Sequence, residues 1–488
     1  MKNCFNHILL LGAGLLTLPS FGQNEADVLR YSFRENQGTA RSIGMGGAMG
    51  ALGGDLSAIA WNPAGLGQYR RGEIGFNLGI GGNSSTGTYN DRETSSSNFA
   101  AHIPNAGLVL ANQQEGGDLR FLNYAIVFNK VANFNSRVQV SGPSISSSLT
   151  NVFVNQANGL PEDQLFDAFP FTAGLGWDTF LIDPIPNTPN LYESAIPFGP
   201  IQQERTVESS GHFSETLIAV GGNYLDRLYF GATLGFPNVN FTQTITYREF
   251  DTPTGVNLNN FTYREDLVIT GNGLNIKLGA TFRALPWMLL GAAYHSRTTL
   301  SLNDVWDVGL SSQFKTGESY QSDLQGAFNY RIQTPRRYIG SAAFLLGPSG
   351  VISADYEFIN YTQGRLFEAN FGSNGYDFEA ENAAVNRLLR PAHNVRIGGE
   401  WRINKAFRAR GGVQYQQSAF TLEALPVASP LVTYSLGAGY RSTKFYADAA
   451  LRLGFENDQV YFYDPALVNP AQIESTLTEF VLSAGIRF

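Results

Sequence analysis

The run of residues 44–67, GMGGAMGALGGDLSAIAWNPAGLG, is where a phosphate or dinucleotide site would be sought first, because glycines let backbone N–H groups close around an anion. Such a site needs G-x-G-x-x-G after a strand and at the opening of a helix. Here Gly44 and Gly46 are followed by Met49 where the third glycine belongs, and no strand pattern precedes them. A long surface loop is a second reading of the run, and a compact internal plug is a third. There is no G-x-S-x-G elbow, no H-E-x-x-H pair and no G-x-x-x-x-G-K loop. The histidines at 7, 102, 212, 295 and 393 are scattered, with His102 and His295 in strand patterns that suit wall residues better than bases. The only cysteine, Cys4, lies in a leader-like segment, so the rest of the chain has no thiolate or disulfide chemistry. These features argue for no enzyme, no metal and no cofactor.

The chemistry therefore rests on whatever elements hold the 44–67 run. Lys2 and His7 precede an apolar stretch from Ile8 to Leu18, and Ser20-Phe21-Gly22 offers small residues where a signal peptidase cuts. The expectation is a signal peptide over 1–22 and export. The 488-residue chain is 43% hydrophobic but only 15% charged, with 53 glycines. Its net charge of -8 and lack of basic clusters exclude nucleic acid as a natural partner. Nothing after residue 22 supplies the 18 or so consecutive apolar residues of a membrane helix.

What the chain does supply is period-two alternation. Phe480, Leu482, Ala484, Ile486 and Phe488 share one strand face, with Glu479, Ser483, Gly485 and Arg487 on the other. Phe445, Ala447, Ala449, Leu451 and Leu453 alternate with Tyr446, Asp448 and Arg452, and Val395, Ile397 and Trp401 with Arg396, Gly398 and Glu400. An apolar outer row and a polar inner row suit a closed sheet in lipid, where every backbone group must be paired within the sheet. Strands are expected near 72–82, 99–112, 118–132, 212–223, 227–247, 264–284, 287–301, 326–346, 350–361, 392–403, 406–420, 431–441, 444–458 and 476–488. Tight turns such as Leu225-Asp226-Arg227 and Asn404-Lys405 alternate with long polar connections, the largest over 133–211, as in outer-membrane barrels. The fold class expected is all-β, a transmembrane antiparallel β-barrel of about fourteen strands over 72–488, in the outer membrane of a Gram-negative cell.

A barrel of that size leaves a lumen that leaks unless it is filled. The segment 23–71 precedes the first strand and is free to fold into it as an N-terminal plug, which selects the third reading of the 44–67 run. Trp61, Asn62, Pro63, Ala64 and Gly65 mark its turn and are the candidate gate. Inward charges at Asp355, Glu357, Arg396, Glu400, Arg402, Arg408, Arg410, Asp448 and Arg452 read as a paired ladder or as a lining that grips the plug.

The Asn62-Pro63-Ala64-Gly65 end of a Gly/Ala-rich plug, the stretch from His102 to Gly107 and about fourteen strands closing on Phe488 together resemble the FadL-type outer-membrane transporters (OmpP1/FadL/TodX). The resemblance implies a plug that closes the barrel from the periplasmic side. It also implies a kink in the third strand through which hydrophobic molecules such as long-chain fatty acids leave sideways into the membrane, with Asn62, Pro63 and Ala64 beside that gap. The stretch 118–131 carries no Gly or Pro to mark a kink, whereas Pro104 on the second strand removes a ladder hydrogen bond and is the candidate distortion.

Within 133–211, Leu160 to Phe169 reads as a short amphipathic helix with Pro161 in its first turn. Leu165, Phe166, Phe169, Phe171 and Trp177 form either a landing groove for a greasy ligand or partner, or the core of the loop itself. A second helix over 378–389 reads as a capping element. Two functions remain: passive uptake of small hydrophobic molecules, or a non-transporting accessory subunit of a secretion or assembly complex. The expected partners are hydrophobic small molecules and outer-membrane lipid, with other outer-membrane proteins under the second reading.

Overall fold

The computed structural model describes residues 25–144, 147–197, 199–369, 376–421 and 429–488; the signal peptide assigned to 1–22 lies outside them. Fourteen antiparallel strands close into a barrel. They are β1 (Glu73–Tyr89), β2 (Arg92–His102 and Asn105–Leu110), β3 (Leu119–Asn133 and Ser136–Ser144), β4 (Ile201–Tyr224), β5 (Leu228–Phe250), β6 (Leu258–Leu285) and β7 (Met288–His295 and Thr299–Phe314). The circuit continues with β8 (Ser319–Gln333 and Arg337–Leu345), β9 (Gly350–Asn360 and Arg365–Glu368), β10 (Pro391–Arg402), β11 (Phe407–Gln416), β12 (Leu431–Arg441), β13 (Phe445–Val460) and β14 (Ala471–Arg487). β14 pairs with β1 from Glu73↔Arg487 to Thr88↔Gln472, so the sheet has no terminal edge.

The alternation maps onto this wall directly. On β1, Ile74, Phe76, Leu78 and Ile80 face outward and are exposed, while Glu73 and Asn77 face inward and are buried. Exposed Leu482, Ile486, Ile397, Trp401 and Phe445 continue an apolar belt around the lower half of the barrel. In water that belt would be a large unfavourable surface; in a bilayer it is the matching one.

Several strands run farther outward than their apolar rows. β1 continues to Tyr89 and returns through Asn90-Asp91, both at positive φ, which is the backbone of a tight hairpin. The expected outer connection over 83–98 is therefore ladder. Likewise β3 extends to Ser144 and β4 starts at Ile201, so the 133–211 connection shrinks from both ends. These extensions stand above the lipid, where polar residues on the outer face cost nothing, and the apolar rhythm stops before the hydrogen bonding does.

The segment before β1 fills the lumen. It holds helices α1 (Glu25–Ser32), α2 (Ala40–Gly44) and α3 (Ala58–Trp61) and a 3-10 turn, Pro63–Gln68. Its backbone lies directly on inward-facing glycines of the wall. Gly221, Gly231 and Gly279 are cross-strand partners on β4, β5 and β6, and they touch Gly67, Pro63 and Asn62 of the plug. On the opposite wall Gly398 and Gly412, also paired, touch Met45 and Gly46, and Gly437 faces Gly44. Small residues on both sides let main chain meet main chain.

A methyl at Gly279 would fall on Asn62 Oδ1 and one at Gly398 on the Met45 carbonyl, whereas one at Gly340, on the outer face, meets nothing within 4 Å. Gly279→Val or Gly398→Val is expected to cost ~1–3 kcal/mol as overpacking and to expose residues 25–71 to protease. Gly340→Val should leave the protease pattern unchanged. Normal resistance of the plug in both wall variants would refute the close-contact account.

Candidate functional site

One amide joins two turns of the plug to each other and to the wall. Asn62 Oδ1 accepts the Ala64 N–H at 3.0 Å, capping the Pro63–Gln68 turn, and Pro63 stands at the first helical position, where its missing N–H is not needed. Asn62 Nδ2 donates to the Gly50 carbonyl at 2.6 Å and reaches Ala280 O and Thr281 Oγ1 of β6 at 3.4 Å. One side chain thus holds two plug turns together and hooks both to the wall. Ala64 is fully buried and Gly65 lies against Gly53, so neither position has room for a larger residue.

Trp61 is the second fixed point. Its carbonyl accepts the His295 Nε2–H at 2.9 Å, which leaves His295 Nδ1 as the acceptor facing Arg34 Nη1 at 3.3 Å. Its indole lies between two guanidiniums, with Arg396 4.0 Å and Arg34 5.3 Å from the ring centroid. Glu215 accepts from Arg34 at 3.2 Å, from Asn275 at 2.7 Å and from Lys277. Glu357 binds Arg337 at 2.6 Å and Arg396 at 3.0 Å. Four buried cations share two carboxylates, and Arg34, Lys277, Arg337 and Glu215 line a cavity of about 20 Å³, little more than one water.

Two further networks clamp the plug to the other wall. Arg410 joins Glu400 at 2.7 Å and Asp448 at 2.8 Å, and the plug's Arg41 binds the same Glu400 at 3.3 Å. Arg452 binds Glu479 at 2.6 Å and the plug's Asn36 carbonyl at 2.8 Å, while His102 Nε2 lies 2.9 Å from Glu479. Arg402 and Arg408 flank the turn at Asn404-Lys405, outside these clusters. Glu215, Lys277 and Arg337 went unread in the sequence; the signal was their placement in inward rows of outwardly apolar strands.

The wall itself is interrupted once in a way that changes its pairing. β2 stops at His102 and resumes at Asn105, with Pro104 between, its carbonyl accepting the Lys130 N–H at 2.9 Å. β3 breaks at Phe134-Asn135, and its outer piece pairs with β4, from Ser136↔Ser209 to Ser144↔Ile201, rather than with β2. That piece tucks under the β1–β2 hairpin, where Val140 meets Gly87 and Ser96 Oγ donates to Arg137 O at 3.0 Å. Among the described residues the outer piece of β2 has β1 as its ladder partner and no other. The bend on β3 is marked on its neighbour, where Gly211, at φ +107°, accepts the Phe134 N–H at 3.1 Å. The plug reaches this point through Glu35, whose N–H donates to Val131 O at 2.9 Å and whose Oε1 accepts from Asn133 N at 3.1 Å. Asn62, Pro63 and Ala64 lie against β5 and β6, away from the position beside the gap that the resemblance implies, because Asn62's amide is committed to Gly50 and β6.

The outer mouth is capped by residues 147–197. A helix, α4 (Leu149–Ala157), starts on Ser148 with a complete capping box, and Ser148 Oγ and Leu149 N both donate to Glu249 of β5, at 2.5 and 2.8 Å. The helix expected over Leu160 to Phe169 is two short turns, Glu162–Gln164 and Leu165–Ala168. Leu165 is fully buried with Phe153 and Leu175, and Phe166, Phe169, Phe171 and Trp177 pack half-buried around them. The Phe171 ring centroid is 6.4 Å from that of Trp306, and Trp177 is 6.0 Å from Tyr192. The loop has its own core, seated on the rim. Helix α5 (Glu379–Leu388) packs near α1 in a second cluster that includes Val28, Tyr31, Phe378 and Val385.

No family model and no curated protein matches the chain. Solved structures do: a FadL homologue of Pseudomonas aeruginosa superposes with a TM-score of 0.57 at 12% identity, over 94% of this chain and 100% of that one. The toluene transporter TodX of P. putida gives 0.52 at 14% identity, over 93% and 99% of the two chains. The toluene transporter TbuX of Ralstonia pickettii gives 0.51 at 15% identity, also over 93% and 99%. This chain has the FadL-type barrel fold. At these identities what the FadL-type barrels share with it is architecture, a closed fourteen-stranded antiparallel wall with N-terminal helices.

Glu357→Gln removes the one carboxylate shared by Arg337 and Arg396, and should destabilise the plugged barrel by ~3–5 kcal/mol as uncompensated buried charge. Asn62→Ala should cost ~1–2 kcal/mol through the lost cap and release the plug before the wall unfolds. Urea melts followed by plug-specific proteolysis and by strand circular dichroism separate the two; coincident transitions in Asn62→Ala would refute its role as the plug's fastener.

Proposed function

We propose that the protein is a passive channel for small hydrophobic molecules in a Gram-negative outer membrane, gated by its N-terminal plug. The observation that carries this reading is the β2–β3 interruption at Ile103-Pro104 and Phe134-Asn135, level with the outer margin of the apolar belt. A greasy solute entering past the loop cap meets a lumen floor of buried ion pairs, which opposes its passage downward. The inner end of the unpaired β2 flank, from Phe99 to Ile103 at the margin of the belt, offers a sideways route into lipid, where such a solute is more stable. Release of Glu35 from Val131 and Asn133 is the smallest plug movement that would free this flank. The solved structures of this fold named as toluene transporters support monoaromatic hydrocarbons as candidate cargo, beside long-chain fatty acids. The second reading, an accessory barrel, rests on the same feature, since the free edge of Arg92–His102 is also a place for a partner strand.

Two reversible locks test the channel. Thr94 Oγ1 and Ser141 Oγ are 3.0 Å apart across the β2–β3 flank, so Thr94→Cys with Ser141→Cys staples it. Ala40→Cys with Ser483→Cys ties plug to wall, since Ser483 Oγ accepts the Ala40 N–H at 2.7 Å. Cells carrying the unlocked protein should take up labelled toluene or a fluorescent long-chain fatty acid several-fold faster than cells lacking it. Each lock should abolish that excess and a reducing agent should restore it. Uptake indifferent to the flank staple refutes the sideways route, and uptake indifferent to the plug lock refutes gating. No uptake at all, with a stoichiometric protein partner in native mass spectrometry, establishes the accessory reading.

A further inference from the structure

The lipid-facing side of the barrel carries a concavity of its own. A groove of about 920 Å³ crosses the lipid-facing surface from β4 to β9, framed by Phe230, Leu278, Tyr294, Tyr338 and Tyr356. Its floor is made by small residues in successive outward rows, Ala232, Ala280, Ala292 and Gly340, and a Cβ built on Gly340 meets nothing within 4 Å. The framing residues Phe230, Leu278, Tyr338 and Tyr356 are exposed members of the apolar belt, so the groove faces the bilayer. We propose that this groove is a binding site for an acyl chain of an outer-membrane lipid, held in one place rather than exchanging as general solvent.

Three features support an acyl chain over other occupants. The lining is almost wholly apolar side chain, and the groove lies in the belt, where the surrounding medium is hydrocarbon. Its volume is that of a site for one medium-sized molecule rather than the broad flat contact of a protein partner. Rings along one side, with Tyr294 and Tyr338 tilted against each other at a centroid distance of 5.5 Å, give a rigid edge, and the Tyr356 hydroxyl already bonds His393 Nδ1 at 2.6 Å. A rigid, pre-formed wall lowers the ordering cost of a flexible chain. Filling the groove also matters inside. The strands that floor it carry Gly231, Gly279, Ala293 and Ile339 on the same stretch of wall, against which Pro63, Asn62 and Trp61 rest. The acyl site and the plug fastening are opposite faces of one layer of sheet.

The full-length protein reconstituted with a phosphatidylethanolamine bearing a diazirine near its acyl terminus, illuminated and mapped by peptide mass spectrometry, tests this. Crosslinks should concentrate on strands β6 to β9, several-fold above those on β11 to β13. Gly340→Phe puts a ring into the groove beside its cross-strand partner Tyr356 and should remove most of that excess, whereas Ala438→Phe, outward on the opposite wall, should not. Crosslinks spread evenly around the belt, or unchanged in Gly340→Phe, would overturn the proposal by showing ordinary annular lipid. A crosslinked second copy of the chain over these strands would overturn it too, in favour of a protein interface. Heat-modifiable migration of both variants on gels confirms that they are folded before the crosslinks are compared.

Discussion

Main chain against main chain is the contact on which this molecule depends. A fourteen-stranded wall encloses more space than its own inward side chains fill, and the protein closes that space with a segment whose backbone lies on wall glycines. Two consequences follow from the lack of side chains at those points. The plug comes close enough for a single amide, that of Asn62, to bridge its own turns and strand β6. The wall is also thin there, so what happens on its lipid face is one backbone thickness from the plug.

Around these contacts the lumen is polar by construction. Inward rows of a membrane barrel are free to carry charge, and here the charges are shared between plug and wall: Arg34 with Glu215, Arg41 with Glu400, Glu35 and Asn36 with Arg452. Buried ion pairs are a poor source of net stability but a strong source of register, because a misplaced plug leaves several charges unpaired at once. The same property makes the lumen floor a barrier to apolar solutes. The reading of a sideways route through the β2–β3 flank follows from that chemistry as much as from the interruption in the ladder.

The outer cap follows a different logic. Residues 147–197 stand in water and bury their own aromatics around Phe153 and Leu175, anchored at the start of α4 by Glu249. Leu165, Phe166, Phe169, Phe171 and Trp177 stand out in the sequence as an apolar run, and in the structure Leu165, Phe169, Phe171 and Trp177 belong to one cluster. Whether such a cluster makes a groove or a core depends on which neighbours cover it, and those neighbours, Tyr192, Tyr263 and Trp306, are distant in the chain.

The sequence by itself determined the barrel, the number of strands and the inward or outward sense of the clearly alternating rows, because alternation has a period of two and lipid selects one face. It also marked residues 23–71 as unlike wall and Asn62-Pro63 as a turn, since both are local properties; the cap that Asn62 gives this turn came from the structure. Only the tertiary structure decided where the strands end, because above the membrane nothing forces one face to be apolar. Only the tertiary structure decided which wall the Asn62 turn rests on and where β3 leaves β2, a bend recorded at Gly211 on another strand. It alone decided that Arg34, Lys277, Arg337 and Arg396 converge on Trp61 and two carboxylates. Such pairings join residues hundreds of positions apart, and the register of a closed sheet, not any local pattern, brings them together.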